Sequence, residues 1–231
     1  MLVGLSRRTR LIGGLALGVL IGVGVALPLA LSGGGGPRHG FAPLSTLGHL
    51  RAAPPLGPLG PEGPPLEPGP NLAPPGSPAP GASVDGISCQ GGEQTLFHIH
   101  ARLTIFVNGA SEKIPYGIGI ADPQAQQTKR GPYVGSGACF TWLHTHAADG
   151  IIHIESPVLR AFTLGEFFDV WGQPLSTTQV GPAQGAVTAL VNRRVWLGDP
   201  RDIRLRAHTQ IQLEVGRPLV APVRITNWYG N

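Results

Sequence analysis

The clearest pattern in the chain is an alternation. Across residues 95–107, Phe97, Ile99, Ala101, Leu103, Ile105 and Val107 fall on one side and His98, His100 and Arg102 on the other. That is the period of a strand with one face on a core. Asn108-Gly109 follows at once and signals a two-residue hairpin turn. The matching register pairs Leu103 with Ile114, Ala101 with Tyr116, Ile99 with Ile118 and Phe97 with Ile120, all apolar. It also sets Gly117 opposite His100 and Gly119 opposite His98, which would leave room beside both imidazoles.

A second hairpin is predicted over residues 140–155, turning at Asp149-Gly150. Trp142, His144 and His146 share a face of its first strand; Ile151, His153 and Glu155 share a face of its second. A two-residue turn pairs His146 with His153 and His144 with Glu155, whereas a four-residue loop over 147–150 pairs His144 with His153. Both registers set His153 against another histidine. Further along, Thr163-Leu-Gly-Glu166 reads as a capping box opening a short helix over Leu164–Trp171. Strands are expected over 186–192, 194–197, 203–206, 211–215 and 223–228. The predicted fold is mainly β, a sandwich or partly open barrel of antiparallel hairpins with one short helix.

The patterning is different before residue 84. Residues 11–31 carry no charge and follow Arg7, Arg8 and Arg10. A run of that length spans a bilayer core of about 30 Å as a helix, and the flanking arginines hold residues 1–10 in the cytoplasm. The expectation is a single-pass membrane anchor with the rest of the chain extracytoplasmic; cleavage near Ser32 and secretion is the alternative. Ser6-Arg7-Arg8 is a partial match to a twin-arginine export signal. Residues 32–83 lack periodicity and hold most of the proline, 14 of 24 residues lying between Pro37 and Pro80. They are expected to be a disordered, semi-rigid stalk, leaving 84–231 as the folded domain.

Charge then narrows the function. The net charge of +4 comes mostly from the N-terminal arginines, and residues 84–231 carry 12 basic against 11 acidic groups. A nearly neutral domain excludes nucleic acid as the expected partner. Five of the 8 histidines, His98, His100, His144, His146 and His153, are concentrated on the predicted hairpins. A His-x-His pair on a strand projects both rings from one face, an arrangement suited to chelating a metal. A lone histidine there would more often be a satisfied core residue; two pairs and a cross-strand histidine together favour a site. Three or four of the five are expected as ligands, with the remainder and Glu155 supporting them from behind; in an enzyme Glu155 would be a general base, an orienter or an extra ligand. Zinc or copper is favoured and iron is admissible, while the single Met, Met1, offers nothing toward a soft Cu(I) site. Three functions stay open: a metal-handling or metal-sensing domain, a metal-dependent enzyme (a hydrolytic or lyase zinc site, or a three-histidine iron site), and a non-metal cell-envelope interaction module. Neither a protein partner nor a small-molecule substrate is readable.

Arg102 continues the histidine face as either an anion-binding group or a paired surface arginine. Cys89 and Cys139 are expected to form a disulfide in an oxidising compartment, with thiolate ligation as the rival. His39, His49 and His208 read as incidental. No nucleophile elbow and no phosphate-cradling loop is present in the sequence.

Phe97-His-Ile-His-Ala-Arg-Leu, Trp142-Leu-His-Thr-His, Gly150-Ile-Ile-His-Ile-Glu-Ser-Pro157 and Thr163-Leu-Gly-Glu-Phe-Phe together resemble a family of uncharacterised exported bacterial and archaeal proteins. The resemblance covers most of residues 84–220 and implies no established activity. The His-x-His strand is also similar to zinc ligation in α-type carbonic anhydrases and to cupin metal sites, but neither pattern carries over: the cupin spacing to a following Glu is absent, and the carbonic anhydrase surroundings do not match.

Overall fold

A computed structural model describes residues 40–228 of the chain. The basic segment 1–10 and the apolar run 11–31, the expected anchor, lie outside the described residues. Among the described residues no helix is long and apolar enough to cross a membrane.

An eight-stranded sheet positions everything that follows. Its strands are β1 (Phe41–Ala42), β2 (Phe97–Val107), β3 (Ala110–Glu112), β4 (Leu143–His144), β5 (Ile151–Ser156), β6 (Val187–Val191), β7 (Arg194–Trp196) and β8 (Thr209–Val215). Their order in space is β1-β7-β6-β8-β2-β5-β4, with β3 beside the end of β2. The fold is mainly β with several smaller antiparallel sheets and a single α-helix among the described residues, and it is not a closed barrel.

The Asn108-Gly109 hairpin forms in the predicted register, with Val107 opposite Ala110 and Ile105 opposite Glu112, and then stops. Pro115 has no N–H to continue a ladder, and residues 113–119 leave the strand. The vacated flank of β2 is taken by β5, which pairs Arg102 with Ile151, His100 with His153 and His98 with Glu155. The expected pairs of β2 with residues 114–120 therefore do not form. The other flank of β2 pairs with β8 in parallel over seven residues, from Ala101 opposite Thr209 to Val107 opposite Val215. The sheet is thus mixed, where antiparallel hairpins alone were expected.

One face of the sheet packs on the helix α1 (Leu164–Trp171). The capping box forms as predicted: Thr163 Oγ1 accepts from Glu166 N, and Glu166 Oε2 accepts from Thr163 N. Leu164, Phe167, Phe168 and Trp171 bury against Ala101, Leu103, Ile105, Ile152 and Ile154. The opposite face is polar, and residues from His100 to Phe106 are nonetheless buried on both faces of β2. Part of its cover is the segment expected to be a disordered stalk. Residues 40–83 pack onto the domain: Phe41 pairs with Trp196, Arg51 N donates to Leu219 O, and Leu72 and Ala73 join the core of α1. Glu67 reaches the polar face, where Arg102 and Thr104 donate to its Oε1. Arg102 is accordingly a buried, paired group and not a surface arginine. Gly69 permits the crossing, because a Cβ there would lie 1.9 Å from Ser111 O, and its φ of +92° suits glycine alone.

Of the predicted later strands, β6, β7, β8 and a two-residue strand at Arg204–Leu205 form. Residues 223–228 do not. Side-chain amides satisfy their backbone instead, with Val223 N donating to Gln212 Oε1 and Ile225 N to Gln210 Oε1.

Candidate metal centre

Three adjacent strands, β4, β5 and β2, bring the predicted residues together because residues opposite one another in a ladder share a face. His144 lies opposite His153, and His153 opposite His100, forming one row; Glu155 opposite His98 forms the next. The four-residue-loop register is therefore the one adopted at His144. His146 follows just beyond β4. All six side chains converge, and all but His98 are buried.

Two overlapping sets of donors could each hold a metal ion: His98, His100, His153 and Glu155, and His144, His146, His153 and Glu155. Within each set the donor atoms lie within 4.8 Å of one another. The first set closes a ring of short contacts. His98 Nε2 is 3.0 Å from His100 Nε2, which is 3.0 Å from His153 Nδ1. That nitrogen is 3.3 Å from Glu155 Oε1, which returns to His98 Nε2 at 3.1 Å. Donors bound at 2.0–2.1 Å sit roughly 3.3 Å apart around a tetrahedral ion and roughly 2.9 Å apart around a square-planar one.

Hydrogen bonds to the far side of the rings determine which nitrogens face inward. His144 Nδ1 lies 2.8 Å from Thr141 O, and His146 Nδ1 is bonded to Val134 O. A carbonyl only accepts, so both rings donate from Nδ1 and turn an unprotonated Nε2 into the site. His153 Nε2 donates to Glu62 Oε1 at 2.7 Å, a carboxylate–histidine pairing of the kind that orients metal ligands.

Burial holds most of the rings neutral. It pushes His100 down to about 3, helped by His153 and His98 nearby, and it lowers His144 and His146 in the same way. His153 behaves oppositely: burial pushes it down, but hydrogen bonds to Glu155 and Glu62 outweigh this and raise it to about 9. Burial alone would raise Glu155, yet the hydrogen bond from His153 leaves it below its ordinary value. The metal-free cluster thus sets the His153 imidazolium between two carboxylates, beside the neutral rings of His100, His144 and His146. A cation would displace the His153 proton.

No match is found for the chain among family models, curated proteins or solved structures.

A cleft of about 490 Å³ opens onto the cluster, lined also by Pro61, Glu62, Glu93, Thr128 and Tyr133. None of these was anticipated from sequence, and three of them touch the histidines. Glu62 falls in the expected stalk and accepts from His153. Glu93 Oε1 lies 3.4 Å from His146 Nε2, and the Tyr133 ring stacks on His146 at 5.2 Å. One signal was available, because Glu62 and Glu67 are the only acidic residues before Asp85 and both meet the polar face of the sheet. The glycines, by contrast, do not make room beside His98 and His100. A Cβ on Gly119 would lie 2.3 Å from Leu143 O, so Gly119 packs under the strand leading to His144. Cys89 and Cys139 form the disulfide, which removes them as ligands and ties Ile87–Gln90 to Cys139–Thr141 just before β4. His49 and His208 belong to neither donor set.

Proposed function

We propose that the protein is a membrane-tethered extracytoplasmic domain that binds zinc or copper in metal handling or sensing. The observation that carries this reading is the closed ring of His98, His100, His153 and Glu155 at spacings of 3.0–3.3 Å. Four protein donors complete a four-coordinate site without a place for substrate, which favours binding over a three-ligand catalytic zinc. A non-metal histidine network is disfavoured by His144 and His146, whose inward nitrogens both lack protons. The extracytoplasmic placement rests on the apolar run at 11–31 and agrees with the disulfide, since such bonds persist in oxidising compartments. The cleft over the first donor set favours one alternative, a metal-dependent enzyme, in which Glu155 would serve as a general base.

The test is elemental analysis and thermal unfolding of the full chain purified in detergent, with and without added Zn²⁺ or Cu²⁺. Metal should survive desalting, and 100 Kd of free ion should stabilise by about 2.7 kcal/mol. His100→Ala should weaken binding by more than the roughly 10–100-fold typical of an outer partner. A chain that retains no metal and shows no shift in Tm would refute the proposal.

A further inference from the structure

The second donor set carries more than the first requires. His144 and His146 are fully buried, and their Nε2 atoms face each other at 3.1 Å. Since both Nδ1 atoms already donate to backbone carbonyls, neither Nε2 carries a hydrogen toward the other. Two lone pairs held this close and out of water repel unless a cation lies between them. One ion in the ring of His98 and His100 leaves that repulsion in place, because no donor set within 4.8 Å contains both His-x-His pairs.

Glu155 faces both pairs. Its Oε1 closes the first ring at 3.1 Å from His98 Nε2, and its Oε2 points to His144 Nε2 at 3.9 Å. That second oxygen is buried and accepts no hydrogen bond. A buried carboxylate oxygen without a partner marks an unmet requirement for a proton donor or a cation. The His144 ring beside it already donates its hydrogen to Thr141 O. Glu93 Oε1, 3.4 Å from His146 Nε2, supplies a further oxygen on the same side.

The geometry points to a dinuclear centre: one divalent first-row ion bound by His98, His100 and His153, a second by His144, His146 and Glu93, with Glu155 bridging the two. Ions bridged in this way lie about 3.5–4 Å apart. The charge of the pocket agrees, since Glu62, Glu93 and Glu155 converge there, one carboxylate more than a single divalent ion neutralises. This inference rests on the metal-binding reading above and adds a second ion and a bridge to it.

The test loads the full chain in detergent with Zn²⁺ and counts tightly bound ions after desalting, then repeats the loading with Cu²⁺ and records electron paramagnetic resonance. The expected result is two equivalents and a half-field signal from coupled Cu²⁺ ions. His146→Ala and Glu155→Gln should each retain one equivalent and lose the coupling. One equivalent in the wild type, or two without coupling, overturns the dinuclear centre and leaves the metal-binding reading standing; no retained metal overturns both. The wild-type count and spectrum decide by themselves, so a variant that fails to fold does not spoil the test.

Discussion

Gln210, Gln212 and Glu214 lie on one face of β8 and show how single polar side chains serve this fold. The two glutamines bond the backbone of residues 220–225, doing what another strand would have done. Glu214 accepts from Gln212 Nε2 at 2.6 Å and from Val220 N at 3.2 Å, yet burial pushes its carboxyl up to about 7. The folded state therefore favours the protonated form. Its contribution to stability is full below the ordinary value of 4.5 and is lost as pH rises through about 7. Glu214→Gln keeps an acceptor and cannot ionise. Its Tm should match wild type near pH 4 and exceed it at pH 8 by on the order of 1–3 kcal/mol equivalent. Parallel Tm profiles for the two proteins across this range would show that Glu214 does not titrate in this way.

The segment over residues 40–83 shows what an element without regular structure can do. Its prolines suppress helix and ladder alike, while Glu67, buried with Arg102, closes the polar face of β2. Removing one partner of a buried pair strands a charge and costs about 3–5 kcal/mol, whereas replacing both by apolar residues is often neutral. Glu67→Ala should therefore lower stability by about that amount, and Glu67→Leu with Arg102→Leu should recover most of it, as read by chemical denaturation. Equal losses in the single and double variants would show that the pair does not hold the segment down. The sequence made β2, β5, the α1 cap and the five converging histidines legible because local periods and turns specify them. The segment was illegible for the opposite reason, since its contacts are non-local and its composition is that of a linker. Its two acidic residues, in a stretch dominated by Pro, Gly, Leu and Ala, were the only trace of its role. The parallel pairing of β2 with β8 was hidden for a related reason: more than 100 residues separate the strands, and no turn announces the pairing.

At the scale of the whole molecule, the disulfide and the metal centre meet in the chain between Cys139 and His146. Cys89 and Cys139 are separated by 50 positions, and a bridge closing a loop of that size stabilises by about 4 kcal/mol through the unfolded chain. Thr141, two residues beyond Cys139, also provides the carbonyl that fixes the His144 tautomer. Losing the bridge should therefore act twice: globally on stability, and locally on the donors carried by β4. The donors on β2 and β5 are held by the β2–β5 and β2–β8 ladders, which the bridge does not touch. Replacement by alanine is the cleaner experiment, because reduction would leave a thiolate at Cys139 able to bind the added metal. The metal-free Cys89→Ala, Cys139→Ala protein should unfold roughly 8–16 °C lower than wild type, at 2–4 °C per kcal/mol for a chain of this size. On titration with Zn²⁺, followed calorimetrically, it should keep the first equivalent near wild-type affinity and bind the second at least 10-fold more weakly. If both equivalents weaken together, the two donor sets are one mechanical unit. An unchanged second equivalent would show instead that the Thr141 carbonyl is held by the sheet alone.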